Sequence, residues 1–365
     1  MKTLWIIGAA LILIVGCGKR NYYIEEAENP VYKPNKAFEA FEDMSSSKAE
    51  HLINKYQLDT IFQGETDEFK RILMLRHWIK SVIPIEDYGD PYPGAGNVEQ
   101  ILDYAMEGQG YHCGHYMRVQ NAIMSVMGYV TRSLGAGPGV QGTRFEHHGT
   151  NEIWVNKFNK WFMSDAKYDH HFEKNGIPLS AVEIRNEYLK NEASDIQMVK
   201  GIERKPLEYD DEVDMKKTEF AQTYTWITWD AYSNLFTDWP NHTTMLIMYG
   251  DEYYKNNTWI RGTKPHWIYS SPESLKVVEN IDEIYFTPNT ISSNVELNES
   301  KANIHLISDT PGFKEYQMKK LPEEEWVKVD PEFELNLDNK NYELAFRAVN
   351  YAGVAGPEHM VIINK

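Results

Sequence analysis

The hydrophobic positions between residues 47 and 127 recur at three- and four-residue spacing, which is typical of amphipathic helices. This pattern predicts helical structure from Ser47 to about Val82, with Asp67 as a cap inside that stretch, and a shorter helix over residues 98–106. Between them, the segment DPYPGAG predicts a loop. A further helix is expected to begin near Cys113 and to end at Gly128, because glycine readily closes a helix.

After Gly128 the pattern changes to the alternation that is typical of β-strands. A strand over YVTRSLG leads into a glycine-rich loop. Residues 150–169 predict a hairpin that turns near Phe158 and Asn159, and residues 178–192 predict another helix. From about Leu275 onward, short alternating strands separated by turn residues indicate a small β-sandwich.

The N-terminus has the pattern of an export signal over residues 1–17. Lys2 precedes the apolar run LWIIGAALILIVG, which is too short to cross a bilayer comfortably. The run ends in IVGC, which resembles the lipobox of bacterial lipoproteins. That resemblance implies that Cys17 is lipidated and anchors the protein to the membrane of the bacterial cell envelope, with residues 18–40 as a polar tether. The alternative is an uncleaved N-terminal anchor helix.

The composition narrows the class of partner. Lysine and arginine total 37 against 54 aspartate and glutamate residues, which gives a formal net charge of -17. A nucleic-acid partner is not expected, because phosphate binding needs clustered positive charge. The chain has two cysteines. If Cys17 carries lipid, Cys113 has no disulfide partner, and an unpaired thiol in an exported protein calls for a chemical reason.

Cys113 has the setting of a nucleophile. At a helix N-terminus, the backbone N–H groups and the helix dipole favour the thiolate form. A histidine at the start of the downstream strand, HHGTNEIWV, supplies a base, and Asp165 on the adjoining strand can fix its tautomer. His148 is the preferred base and His147 the second candidate. The strand register is open, so Asp169 remains a second candidate for the acid.

The order of cysteine, histidine and aspartate on these elements resembles the transglutaminase-like superfamily, which has a papain-like core. The resemblance covers roughly residues 65–190. Thr150 and Gly114 stand where the family commonly has aromatic residues. The residues that match the family pattern are Gly110, Cys113, Gly128, Arg132, His148, Glu152, Ile153, Trp161 and Asp165.

This resemblance implies an α+β fold in which the cysteine-bearing helix packs on an antiparallel sheet within residues 41–270. Residues 271–365 would form the β-sandwich, and YELAFRAVNYAGVAGPE within it resembles the closing strands of fibronectin type III and Ig-like modules. The implied enzyme attacks an amide carbonyl with Cys113 and forms a thioester. His148 then protonates the leaving amine and activates water, and Asp165 orients His148.

No cofactor is expected, and hydrolysis is favoured over acyl transfer. The substrate remains open among proteins, peptides, peptidoglycan stems and amide-bearing glycans.

Gln109 is a candidate donor to the oxyanion. Glu152 is interpreted as a structural residue. Trp154 and Trp161 are expected to pack the hairpin against the Cys113 helix.

Three other interpretations stay open. A lone cysteine is often a small buried hydrophobe. The histidines near Cys113 offer zinc ligands, but their spacing is not that of a structural site, and no metal is expected. The third is an inactive surface lipoprotein that binds glycan or protein through the tryptophans of residues 223–268. Those tryptophans are alternatively core residues, since large aromatic side chains dominate protein cores.

Overall fold

The computed structural model describes residues 22–89, 91–94, 96–137, 147–238, 245–253, 275–322, 325–338 and 340–365. The protein is a mixed α+β structure. The helices of these residues are α1 (Ser47–Tyr56), α2 (Glu68–Val82), α3 (Val98–Met106), α4 (Cys113–Val126), α5 (Ala181–Asn191) and α6 (Lys217–Thr223), with short 3-10 turns at Leu58–Phe62, Asn156–Phe158 and Ile281–Glu283.

Fifteen strands precede the C-terminal region. They are β1 (Tyr23–Glu25), β2 (Ala40–Phe41), β3 (Thr131–Ala136), β4 (His148–Val155), β5 (Lys160–Ser164), β6 (His170–Lys174), β7 (Ile177–Pro178), β8 (Gln197–Lys200), β9 (Lys205–Leu207), β10 (Tyr209–Asp210), β11 (Met215–Lys216), β12 (Ile227–Asp230), β13 (Tyr232–Ser233), β14 (Leu246–Tyr249) and β15 (Leu275–Val278). The remaining strands are β16 (Ser292–Leu297), β17 (Lys301–Ile307), β18 (Phe313–Lys320), β19 (Val327–Val329), β20 (Glu332–Asn336), β21 (Tyr342–Asn350) and β22 (His359–Asn364).

The predicted helices and the predicted hairpin are confirmed. Asp67 caps α2, and its side chain accepts a hydrogen bond from the Lys70 backbone N–H at 2.9 Å. Gly128 follows α4 with a positive φ of 95°, a conformation that glycine adopts without strain. A Cβ at this position would also lie 2.4 Å from Val354 of the C-terminal region, so the close approach requires glycine there as well.

The central sheet has the order β15-β14-β12-β3-β4-β5, and its pairs are antiparallel except β14 with β15. One face packs on helices α1 to α4, where Ile153 and Phe162 of the sheet join Val119 and Ile123 of α4 in one core. Alternation along each strand sends the neighbouring side chains to the other face. Trp154 and its cross-strand partner Trp161 therefore pack on the face turned away from α4. The expectation that these two tryptophans pack the hairpin against the Cys113 helix is wrong.

The C-terminal region consists of two facing sheets, with the orders β16-β17-β20 and β1-β22-β21-β18-β19. Side chains of both sheets, such as Ile304 and Phe346, share one hydrophobic core. The central sheet extends to Val278, and Ile284 and Phe286 belong to its core. The facing sheets thus begin at Ser292, later than the expected boundary at residue 271.

The N-terminal segment has a different role from the expected tether. Strand β1 pairs antiparallel with β22 at the end of the chain, so that Ile24 lies opposite Ile363. Farther along, Ala37 and Phe38 are buried in the core beneath the central sheet. Residues 22–40 are therefore part of the folded body. Cys17 and the signal-like segment lie outside the described residues. Among the described residues, every helix is too short or too polar to cross a membrane.

Candidate active site

Cys113 is the first residue of α4 and is partly buried. His112 caps this helix, because its Nδ1 accepts a hydrogen bond from the Gly114 backbone N–H at 3.1 Å. The side chains of His112 and His148 and the backbone N–H of Gly149 lie beside the sulfur, and all three lower the pKa of the thiol. Gly149 is required by close packing, since a Cβ there would lie 3.3 Å from the Gly114 Cα. The predicted helix N-terminus thus presents the thiol to its partners.

His148 joins Cys113 to a carboxylate. It opens β4, and Asp165 directly follows β5 on the neighbouring strand. The His148 Nε2 lies 2.6 Å from the Asp165 Oδ2. The same imidazole also interacts with the Cys113 thiol, and this interaction raises the pKa of His148. The β4–β5 register places Asn151 opposite Ser164, so that His148 and Asp165 are diagonal neighbours across the two strands. The structure therefore brings the three predicted residues together.

Backbone groups hold Asp165 in place. Its Oδ1 accepts hydrogen bonds from the N–H groups of Lys167, at 2.9 Å, and Tyr168, at 3.2 Å. A bridge to His170 closes the turn that carries these donors. The Tyr168 ring stacks on the His148 ring with centroids 5.5 Å apart. The carboxylate and the imidazole are thus fixed by one short turn, which the residue pattern did not predict.

The electrostatics favour an ion pair between Cys113 and His148. Burial by itself raises the pKa of the Cys113 thiol, but the hydrogen bonds from His112 and His148, with the charge of His148, hold it well below its ordinary value. Burial lowers the pKa of His148, but the charge and hydrogen bond of Asp165 raise it from 6.5 to about 9. The pKa of Asp165 is lowered despite its burial, mainly by the charge of His148.

The second candidates occupy other positions. Asp169 accepts hydrogen bonds from the Arg76 Nε, at 2.8 Å, and binds His77 at 2.6 Å, so it belongs to a separate network. Gln109 donates to the Glu86 side chain at 3.0 Å and to the Gly110 carbonyl at 2.9 Å. The expectation that Gln109 aims at an oxyanion is therefore corrected. His147 lines the cleft next to Cys113.

Glu152 is a structural residue, as expected. Both of its carboxylate oxygens accept hydrogen bonds, from the Arg132 guanidinium at 2.6 Å and 3.0 Å and from backbone and aromatic donors at 2.8 Å. The Arg132 guanidinium lies over a set of aromatic rings, which belong to Phe38, Trp161, Trp229 and Tyr285. Both Arg132 and Glu152 are fully buried. Their ion pair connects β3 to β4 beneath the central sheet.

A cleft of about 760 Å³ opens beside Cys113. Its walls come from the loop after α2, the turn after β5 and the turn between β10 and β11. The residues that line it are Ile85, Asp87, Tyr88, Cys113, His147, Lys167, Tyr168, Glu212, Val213 and Asp214. The cleft gives a substrate access to the sulfur, which a merely buried cysteine would lack.

Several described histidines near the site serve packing and structural hydrogen bonds. His112 and His115 pack against each other and against Tyr92. His170 and His171 lie fully buried on β6. His171 binds Glu173 at 2.7 Å. Within the described part of the chain, no group of three or more histidine, cysteine, aspartate or glutamate side chains is arranged to hold a metal ion.

The tryptophans of the aromatic-rich segment are core residues where the structure describes them. Trp226 and Trp229 are both buried, and the Trp229 Nε1 donates to Glu152 at 2.8 Å. Trp239, Trp259 and Trp267 lie outside the described residues. The two described tryptophans are thus unavailable to stack on a glycan.

No protein-family model matches this sequence, and no curated protein is similar enough to it to count as a relative.

Proposed function

We propose that the protein is a cysteine enzyme that cleaves amide bonds through a thioester on Cys113. The observation that carries the proposal is one imidazole, His148, which interacts with the Cys113 thiol and lies 2.6 Å from a buried carboxylate. The proposal is supported by the residue order and by the cysteine-bearing helix on a largely antiparallel sheet, which resemble a papain-like core of the transglutaminase-like kind. The accessible cleft supports the same interpretation.

The chemistry follows from the charges of the resting site. The Cys113 thiolate attacks the amide carbonyl carbon, and the carbonyl oxygen gains negative charge. The backbone N–H of Cys113, at the N-terminus of α4, is the donor we assign to that oxygen. Protonated His148 then gives its proton to the leaving amine, and the carbon–nitrogen bond breaks to leave the thioester. Neutral His148 next takes a proton from water, which attacks the thioester and releases the acid and the Cys113 thiolate.

Asp165 keeps the imidazole oriented through both steps. Its bond to Nε2 leaves the other ring nitrogen directed to the sulfur, so one tautomer is selected. Hydrolysis is proposed over cross-linking. The proposed substrates are proteins, peptides or peptidoglycan, or glycans that carry an amide. We also propose that Cys17 is acylated and that the protein is anchored in the bacterial cell envelope.

The test is the pH dependence of Cys113 alkylation by iodoacetamide in the full chain, with peptide mapping to locate the label. An activated thiol reacts fast well below pH 8, whereas an ordinary thiol reacts with a pKa near 8.5. We expect His148→Gln to shift the profile to that of an ordinary thiol. His147→Gln is the matched control, because it removes the neighbouring imidazole and leaves the bond to Asp165. An ordinary profile in the wild type would instead favour a surface protein that only binds glycan or protein.

The anchor is tested separately. Metabolic labelling with palmitate in a bacterial host is expected to label the wild type and to leave Cys17→Ala unlabelled. Label in both forms, or in neither, would contradict the proposed lipidation and would leave the Cys113 chemistry untouched.

A further inference from the structure

The cleft beside Cys113 contains a buried cation whose partner is exposed. The Lys167 side chain is 2% exposed, and its Nζ lies 2.5 Å from the Asp87 Oδ1. The Asp87 side chain is 43% exposed. A buried ammonium group is costly unless it is paired. The fold therefore fixes the cation in the wall of the cleft and leaves its carboxylate partner on the side that faces solvent.

The position of Lys167 is tied to the triad. Its backbone N–H donates to the Asp165 Oδ1, and its Nζ lies 4.9 Å from the centre of the Tyr168 ring, which stacks on His148. The turn that holds the carboxylate of the triad thus also places the ammonium group. A substrate held by Lys167 would have a defined position relative to the sulfur.

The charges on the opposite wall of the cleft are already engaged. Glu212 binds Lys200 at 2.9 Å and also binds Lys80. Asp214 accepts a hydrogen bond from the Tyr209 hydroxyl. Among the described residues that line the cleft, Lys167 is the one lysine or arginine. Lys167 is therefore the group of this lining that can pair with a substrate carboxylate, although the whole chain is acidic.

We propose that Lys167 is a specificity-determining residue that binds a carboxylate of the substrate. Asp87 occupies that position in the free protein and is displaced when the substrate enters. The substrate class is then amides that carry a carboxylate close to the scissile bond, such as acidic peptides or peptides cleaved near a C-terminus. This inference rests on the proposed function, since it names the substrate class of the same cleft.

Asp87 itself shows which group the site accepts. One carboxylate oxygen approaches the ammonium group at hydrogen-bond distance, so a substrate carboxylate can replace it without rearrangement of Lys167. The exchange substitutes one ion pair for another, and Lys167 is never left buried without a partner. A cationic substrate would gain no such contact, because it would face the Lys167 ammonium group.

The test compares three bromoacetyl probes that alkylate Cys113 in the full chain. They are bromoacetylglycine, the neutral bromoacetylglycinamide and the cationic N-(2-aminoethyl)bromoacetamide. The measured quantity is the ratio of the carboxylate rate to the neutral rate, with the site of labelling confirmed by peptide mapping. This ratio cancels differences in the reactivity of the thiol, since all three probes carry the same electrophile.

Asp87→Asn frees Lys167 and keeps an oxygen acceptor beside it. We expect the ratio in Asp87→Asn to exceed that in the double variant Asp87→Asn/Lys167→Met by about tenfold, the effect of one partly buried charge–charge contact. Added salt should reduce the difference. Lys174→Met is the matched control, because Lys174 pairs with Glu187 outside the lining of the cleft, and its removal should leave the ratio unchanged.

Equal ratios in Asp87→Asn and in the double variant would overturn the inference. A second result would also overturn it: the wild type reacts fastest with the cationic probe, and Asp87→Asn abolishes this preference. The cleft would then select amines. Failure of the proposed function has a different signature: the neutral probe would follow the pH profile of an ordinary thiol, whatever the charge ratios are.

Discussion

Two buried charge pairs lie on the same three strands of the central sheet. Arg132 of β3 binds Glu152 of β4 at 2.6 Å, and His148 of β4 binds Asp165, just after β5, at the same distance. Each pair has side chains almost fully removed from solvent. Burial and ion pairing therefore do not distinguish a structural pair from a chemical one.

The difference lies in the cation. An arginine guanidinium does not lose its proton in a protein, so the charge of Arg132 needs its partner at every pH. Its carboxylate accepts donors on both oxygens, and aromatic rings enclose the guanidinium. A histidine can release its proton, and His148 contacts a thiol that opens onto a cleft. The pair of His148 and Asp165 is therefore the chemical one, because its imidazole can release a proton and a substrate can reach the neighbouring thiol.

The largest effect is expected when the chemical pair is broken. Asp165→Asn keeps an oxygen acceptor near His148 but removes the charge that stabilises the imidazolium. We expect acylation of Cys113 by a peptide p-nitrophenyl ester to slow by about 10³- to 10⁴-fold in single-turnover measurements. A loss smaller than tenfold, in a variant that unfolds with the same urea dependence as the wild type, would show that another residue orients the base.

Breaking the structural pair is expected to cost stability. Glu152→Ala leaves the Arg132 guanidinium buried without its carboxylate, and we expect a loss of about 3–5 kcal/mol in the free energy of unfolding. Glu152→Gln, the matched control, keeps the shape of the side chain and one of its two acceptor oxygens, and should lose less. Urea unfolding measures both. Unchanged stability in Glu152→Ala would mean that the aromatic rings alone accommodate the cation.

The two pairs should also differ in pH dependence. The pKa of His148 rises from 6.5 to about 9 on folding, so its protonation contributes stability that is fully present below pH 6.5 and is lost as the pH rises to about 9. Arg132 does not titrate in this range. The lowered pKa of the Cys113 thiol contributes to stability with the opposite pH dependence. To remove that contribution, we compare the variant Cys113→Ala with the double variant Cys113→Ala/His148→Gln.

In this comparison, the free energy of unfolding of Cys113→Ala should fall relative to that of the double variant as the pH rises above 6.5, and the fall should end below pH 9, because Cys113 also contributes to the raised pKa of His148. Equal pH dependence in the two forms would contradict the ion pair between His148 and Asp165. A relative rise over the same range would mean that folding lowers the pKa of His148.

The sequence was sufficient to predict the triad, because each member lies at the end of a local element. Cys113 follows two glycines at a helix start, His148 opens a strand and Asp165 closes the next one. What remained open was a choice between neighbours, such as His147 and Asp169, since residue spacing does not give the strand register. The structure resolves that choice through the contacts of one imidazole.

Contacts between distant segments could not be predicted. Asp87 and Lys167 are joined across the cleft, and β1 pairs with β22 from the opposite end of the chain. The polar composition of residues 18–40 favoured a tether, but three buried residues and one short strand hold most of that segment on the body. A hydrophobic pattern reports which side of an element is buried and does not report what covers it.

The smallest expected effect separates the two pairs most cleanly. Tyr285→Phe removes the hydroxyl group that donates to the Glu152 Oε1 at 2.8 Å and accepts from the Val182 backbone N–H at 3.3 Å, and the Glu152 oxygen keeps the Ala181 backbone N–H as a donor. We expect a loss of about 1–2 kcal/mol in the free energy of unfolding, the usual value of two hydrogen bonds, and no change in the pH profile of Cys113 alkylation. A shifted alkylation profile would mean that the structural pair influences the triad along β4, and the two pairs would then be parts of one network.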